Sequence, residues 1–190
     1  MKLAPPGAPL PLLQQLVLRY IVGPHLAGRT TWEQDQARFS EAGNKILEIV
    51  QGKSSASLAR QVLVPPMRGL EDSSRFWSAA MAMDHLLIVG KQIGAVTVAL
   101  SKGVTPPGKA STATVKPTTQ RDPEEVRAEF ALFVENHMGE VLGRVENRES
   151  SLTFAHPWFG PLTAKKWFWL LGEHQNIHLK QLLEIAKVMP

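Results

Sequence analysis

Two histidines lie four residues apart in the stretch LGEHQNIHLKQLLEI, which covers residues 171–185. The leucine spacing predicts a helix, and residues i and i+4 lie on one helical face, so His174 and His178 belong to the core-directed stripe. A buried imidazole without a hydrogen-bond partner costs about 1–3 kcal/mol. A divalent metal ion bound by both rings would meet that need. From this helix alone two interpretations stay open: histidines satisfied within the core, or two ligands of one ion.

A third histidine favours the metal interpretation. His85 lies in the apolar stretch WSAAMAMDHLLIVG, on the same predicted helical face as Met81 and Ile88. Two core-directed histidines on one helix and a third on another are typical of a three-imidazole site with positions left open for water or substrate. The predicted metal ligands are therefore His85, His174 and His178.

The polar residues near these histidines are weaker candidates for catalysis. A zinc peptidase motif HExxH would need glutamate at position 175, where the chain has Gln175. Asp84 and Glu173 each precede a histidine and so point about 100° away from it, which favours a capping or supporting role over a catalytic one. Gln181 lies one turn beyond His178. It is expected either to orient a ligand or line the pocket, or to be a polar residue at the end of the bundle.

The other histidines are expected to be structural or exposed. His156 precedes a proline, which favours an extended backbone and a role in packing a loop against the mouth of the bundle over metal ligation. His137 is expected to be structural or at the surface, and His25 to be exposed. A nearby aromatic group is expected to pack the core and the loop, or alternatively to form an apolar wall beside the metal site: Trp158, Phe159, Trp167, Phe168 and Trp169.

The elements that must position these residues are helices. Apolar periodicity, capping residues and breakers predict one short helix and four long ones, with no confident strand: residues 10–22, about 31–50, 74–102, 122–147 and 164–188. The inward stripe of the first helix would be residues 12, 13, 16, 17 and 20, with Gly23-Pro24 ending it. The sequence therefore predicts an all-α four-helix bundle with a long crossover connection, plus a short N-terminal helix.

The chain is expected to form one domain over residues 1–190. Residues 1–29 would be an N-terminal extension carrying the short helix. Residues 103–121, rich in proline, threonine, serine and glycine, are predicted to be a flexible linker within the domain.

Composition narrows the classes of function. The net charge of +4 comes from basic residues spread singly along the chain, so no nucleic-acid-binding stripe stands out. The absence of cysteine excludes disulfides and a cysteine nucleophile and leaves imidazole and carboxylate as metal ligands. No signal sequence and no uninterrupted apolar run of membrane-spanning length is evident, so we expect a cytoplasmic soluble protein that binds neither membranes nor nucleic acid.

The order of several motifs resembles the DinB-like metalloprotein superfamily, named after DNA-damage induction in bacteria. The motifs are SSRFW before the first histidine helix, the turn HPWFGPLT and the final WFWLLGEHQNIHLKQL, and the resemblance extends from about Thr31 to Ile185. It implies a four-helix bundle in which three histidines, here His85, His174 and His178, hold a divalent metal, usually zinc or nickel. It also implies a homodimer. Characterised relatives include S-transferases and isomerases that use the low-molecular-weight thiols bacillithiol or mycothiol.

Two functions are therefore expected as alternatives. The first is a metal-dependent enzyme of the thiol S-transferase or hydrolase type that acts on a small molecule; because the chain lacks cysteine, the thiol would be a cosubstrate. The second is a non-catalytic metal-binding bundle that binds a ligand or protein partner. Nucleic-acid binding, suggested only by a pI near 9.5, is the least supported.

Overall fold

Four long helices build the fold of this computed structural model, which describes residues 2–118 and 120–189. They are α2 (Trp32–Val50), α4 (Ala79–Ser101), α5 (Pro123–Arg144) and α6 (Ala164–Ala186). Helix α6 packs against α2 and α4, and α5 packs against α4 and α2. The bundle core is apolar and almost fully buried, with Phe39, Ile46, Phe130, Leu86 and Phe168 at its centre. This arrangement confirms the predicted all-α four-helix bundle.

Local sequence signals explain where the long helices begin. Thr31 and Gln34 form a capping box at α2, in which each side chain accepts a hydrogen bond from the other's backbone N–H. The carboxylate of Asp122 accepts two backbone N–H groups at the start of α5, where Pro123 occupies the first helical position. Thr163 lies at the predicted start of α6, but its side chain makes no capping hydrogen bond.

Helix α4 begins later than predicted. Residues 72–74 form a short 3-10 turn, Phe76–Trp77 is a strand, and Ser78 caps the helix. The sequence Asp72-Ser73-Ser74 predicts a cap before residue 74, but Asp72 instead accepts hydrogen bonds from Arg75 and from the distant N–H of Ala4. A partner outside the segment therefore overrides the local capping signal.

The N-terminal segment differs most from the prediction. Helix α1 (Leu12–Val17) continues as a π-helix over Leu18–Leu26, which contains Pro24 instead of ending before it. The ammonium of Lys166 in α6 accounts for this continuation, since it donates to the carbonyl oxygens of Gly23 and Pro24. The stripe expected to face inward is solvent-exposed, Leu12 and Leu13 by 71% and 75%. The opposite face carries the residues that pack on the bundle.

Short elements that the sequence pattern did not predict complete the fold. They are helix α3 (Ser55–Ala59) and two antiparallel pairs, β1 (Val62–Leu63) with β2 (Phe76–Trp77) and β3 (Thr153–His156) with β4 (Gly160–Thr163). Strands of two to four residues are too short to show a periodicity of two. Residues 103–118 and 120–121 are irregular, yet Val115 is buried, so this predicted linker packs on the bundle.

Helix α4 alone, among the described residues, is long and apolar enough to cross a membrane, with a mean hydropathy of 1.3, whereas the sequence pattern predicted no such segment. Most of that window, 61%, is buried inside the bundle. This is typical of the core helix of a soluble protein.

Candidate metal centre

Three histidines from two helices converge on one point. His85 lies in the second turn of α4, and His174 and His178 lie mid-way along α6. One ring nitrogen from each can be chosen so that all three lie within 4.8 Å of one another, and Nε2 of His85 lies 3.2 Å from Nε2 of His174. Two imidazole ligands at about 2.05 Å from a tetrahedral metal ion are about 3.3 Å apart. The spacing therefore fits a single shared ion.

Hydrogen bonds fix the tautomers of two of the rings. Nδ1–H of His85 donates to the carbonyl oxygen of Val115 at 2.7 Å, and Nδ1–H of His178 donates to Oε1 of Gln181 at 2.7 Å. Because these oxygens can only accept, the neutral rings carry their protons on Nδ1 and keep a lone pair on Nε2. Gln181 is fixed in turn, since its Nε2 donates to the carbonyl oxygen of Ser74 at 2.8 Å. Such outer partners typically orient metal-binding histidines.

The surroundings keep the three rings neutral. Burial is the main cause that holds the pKa values of His85 and His174 well below the usual value for histidine. Electrostatic repulsion from His178 lowers both pKa values further. Burial lowers the pKa of His178 to about 4. Trp77 stacks on His178 with ring centroids 5.9 Å apart and shields the group from water. Neutral imidazole is the form that binds a cation.

The histidines border a cavity of about 510 Å³. Apolar side chains from the π-helix, α4, α6 and the β3–β4 turn form most of its lining, and Arg38, Lys116, Glu71 and Glu173 provide the charges. A volume of this size suits a small organic molecule. The three-histidine group is therefore accessible from a pocket and is not sealed inside the core.

An ion pair missed by the sequence analysis lies in the same lining. Lys116 donates to a carboxylate oxygen of Glu71 and, at 3.1 Å, to the hydroxyl of Ser74, and its ammonium lies 5.5 Å from the centroid of Trp77. Burial raises the pKa of Glu71, but hydrogen bonds from Lys116, Thr112 and Ser73 and the charge of Lys116 together outweigh it and leave that pKa lowered. Lys116 follows Val115 directly, so this ion pair also anchors the backbone that orients His85.

The three weak catalytic candidates lie in different environments. Gln181 is fully buried and supports His178, so it orients a ring instead of lining the cavity. Asp84 is also buried, and it accepts hydrogen bonds from Arg121 at 2.8 Å and from the N–H of Thr118 at 3.4 Å. It therefore anchors the 103–121 segment.

Glu173 borders the cavity but accepts a hydrogen bond from Arg38 at 2.6 Å. An arginine thus neutralises Glu173, as another neutralises Asp84. Gln175 occupies the position where the zinc peptidase motif HExxH would have its glutamate. It is buried, and neither of its side-chain polar atoms has a hydrogen-bond partner among the described residues.

The remaining histidines lie outside the three-histidine group. Nδ1 of His156 accepts backbone N–H groups of Trp158 and Phe159 at 3.1 and 3.4 Å, so it packs the hairpin turn at the cavity edge as predicted. His137 is buried and its Nε2–H donates to the carbonyl oxygen of Gly90 at 3.0 Å, and His25 is exposed. The aromatic group both packs the core and lines the cavity, since Phe168 is fully buried while the other four members border the pocket.

The fold and the histidine geometry define a four-helix bundle with a metal-binding type of site. The sequence profile of the DinB family matches residues 34–187, and the chain therefore belongs to the DinB family. The predicted resemblance is confirmed.

A solved structure described as TT2238, a four-helix bundle protein, is similar to 80% of this chain and 98% of that chain, with 20% sequence identity and a TM-score of 0.55. At that identity the likeness shows the fold alone. No curated protein matches the chain.

Proposed function

We propose that His85, His174 and His178 bind one divalent metal ion, zinc or nickel, and that the protein is an enzyme acting on a small molecule at this centre. The observation that carries the proposal is the convergence of three neutral imidazoles at the edge of a 510 Å³ cavity. A bound divalent ion would act as a Lewis acid that lowers the pKa of water or of a thiol. The chain's own residues orient the ligands, exclude water and shape the pocket.

Among the two expected chemistries, the geometry favours the thiol S-transferase type over the hydrolase type. Hydrolysis by activated water commonly uses a carboxylate base. Both carboxylates adjacent to the histidines, Asp84 and Glu173, are paired with arginines. A thiol that loses its proton on binding needs no such base, and because the chain lacks cysteine it must come from a low-molecular-weight cosubstrate.

Elemental analysis of purified protein tests the metal centre. We expect about one divalent ion per chain in the wild type and little in His174→Ala; His174 is the most exposed of the three histidines, so its replacement should disturb folding least. His25→Ala, on an exposed histidine, is the matched control and should keep the ion. Equal metal content in the wild type and His174→Ala would remove the proposed site.

A cobalt-loaded sample tests the thiol chemistry separately. A small thiol that binds the ion as thiolate gives a sulfur-to-cobalt charge-transfer band in the near ultraviolet, which should appear in the wild type. If cobalt binds but no thiol produces that band, the hydrolase type becomes the better proposal.

Because Asp84 and Glu173 are both paired with arginines, neither of these carboxylates next to the histidines is a free base. This favours a second candidate function, a non-catalytic metal-binding bundle that holds a ligand or protein partner. Binding without turnover of any thiol or hydrolysable substrate would support it. The homodimer and the cytoplasmic location stay predictions.

A further inference from the structure

The N-terminal π-helix contributes a wall of the cavity. Leu18, Val22 and Leu26 border the same space as the three histidines, although residues 18–26 precede the segment matched by the family profile. All three side chains line the cavity, so this segment presents an apolar stripe to it. The pocket is therefore completed by a part of the chain that the profile does not cover.

Close backbone contacts hold this wall in place. An added Cβ at Gly23 would lie 2.3 Å from the carbonyl oxygen of Phe159, so the π-helix backbone contacts the β3–β4 turn directly. The ammonium of Lys166 donates to the carbonyl oxygens of Gly23 and Pro24 at 2.8 and 3.0 Å and fixes the end of the helix. π-helical turns are frequent at functional sites.

The rest of the lining is mostly apolar, with an ion pair beside the histidines. Val89, Ile93 and Val96 of α4, at i, i+4 and i+7, extend the apolar lining away from His85. Trp169 and Ile177 add apolar surface from α6. The Glu71–Lys116 ion pair lies beside the histidines, and Arg38, Glu173 and Gln92 add further polar groups to a lining that is otherwise mostly apolar.

We propose that the substrate of this centre is an amphipathic small molecule, whose polar reacting group binds at the histidines and whose aliphatic or aromatic body is held by the apolar walls, including the π-helix stripe of Leu18, Val22 and Leu26. For the polar end the inference rests on the proposed metal centre. Each methylene buried against such walls strengthens binding about threefold to fourfold.

Straight-chain alkanehydroxamic acids from acetyl to octanoyl test this inference, because the hydroxamate head binds divalent metals while the tail alone varies. Isothermal titration calorimetry of the zinc-loaded protein should show affinity rising about threefold to fourfold per methylene until the tail outgrows the cavity. Leu18→Ser and Val22→Ser should flatten that dependence. Leu13→Ser and Leu16→Ser, on the solvent-exposed face of α1, are matched controls that should keep it.

The two proposals fail in distinguishable ways. If acetohydroxamate binds but longer tails add nothing, or if all four serine variants behave alike, the substrate class is wrong while the metal centre stands. If neither metal nor acetohydroxamate binds, the proposed function is wrong. In that case the apolar walls are tested on the metal-free protein, by titrating straight-chain alcohols from ethanol to octanol and following tryptophan fluorescence. Equal affinities for all alcohols of the series would overturn the inference.

Discussion

Two buried glutamines on α6 have opposite hydrogen-bonding environments, which makes them a sensitive pair of test sites. Gln181 accepts from Nδ1–H of His178 and donates to the carbonyl oxygen of Ser74. Gln175 is equally buried, at 1% exposure against 0%, but neither its Oε1 nor its Nε2 has a hydrogen-bond partner among the described residues. Leucine has a similar volume and removes the amide at either position.

The expected effects have opposite signs. Gln181→Leu leaves two buried groups unpaired, and at about 1–3 kcal/mol each the free energy of unfolding should fall by about 2–6 kcal/mol. It should also weaken metal binding about 10- to 100-fold, because His178 loses the acceptor that orients its ring. Gln175→Leu removes an unsatisfied amide and should raise the free energy of unfolding by about 1 kcal/mol or more.

Urea unfolding of both variants and the wild type, in the presence of a chelator, measures the stability terms. For a chain of this size about 1 kcal/mol corresponds to a shift in Tm of about 2–4 °C, so thermal melts followed by circular dichroism give an independent check. A competition titration with a metal indicator measures the affinity. If Gln175→Leu destabilised the protein as much as Gln181→Leu, the distinction between a satisfied and an unsatisfied glutamine would be refuted.

Two further predictions concern protonation and backbone packing. Burial lowers the folded-state pKa of both His156 and His178 to about 4, so in the metal-free protein the unfolded chain is protonated at a higher pH than the folded chain. The free energy of unfolding should therefore be constant above about pH 6.5 and fall towards pH 4 by up to about 1.4 kcal/mol per pH unit for each histidine. Urea unfolding across this pH range measures the effect, and a free energy of unfolding that does not change with pH would contradict the burial argument. An added Cβ at Gly90 would lie 2.3 Å from the ring of Phe133, whereas an added Cβ at Gly139 would have nothing within 4 Å. Gly90→Ala should therefore destabilise the packing of α4, and Gly139→Ala should stabilise α5 by about 0.5–1 kcal/mol. Thermal melts measure both variants, and equal effects would show that the ring of Phe133 moves aside without cost.

The bundle was predictable because its determinants are local. The cap at Thr31 and the Asp122-Pro123 start lie within a few residues of the turns they begin, and the structure has both. The i, i+4 spacing of His174 and His178 likewise fixes their common face in any helix. The convergence of His85 with them followed from its place on an apolar face, which a bundle turns inward.

The errors share a different cause, namely partners far away in sequence. Asp72 was expected to cap α4 but accepts from Ala4, 68 residues away, and the π-helix continues through Pro24 because Lys166 binds its carbonyl oxygens. The apolar stripe of α1 was assigned to the core from periodicity alone. Periodicity predicts that a helix has two faces, but only docking decides which face is covered.

The sequence by itself determined the four long helices, the inward histidines and the family, because these depend on residue type and on spacings within a few turns. Only the tertiary structure decided that the carbonyl oxygen of Val115, 30 residues from His85, fixes the tautomer of that ring, and that Gln181 is held by Ser74, 107 residues away. It also brought Glu71 to Lys116 and the N-terminal π-helix to the cavity. The physical reason is that a hydrogen bond requires two groups to meet in space, and for groups so far apart along the chain that meeting is set by how the whole bundle packs.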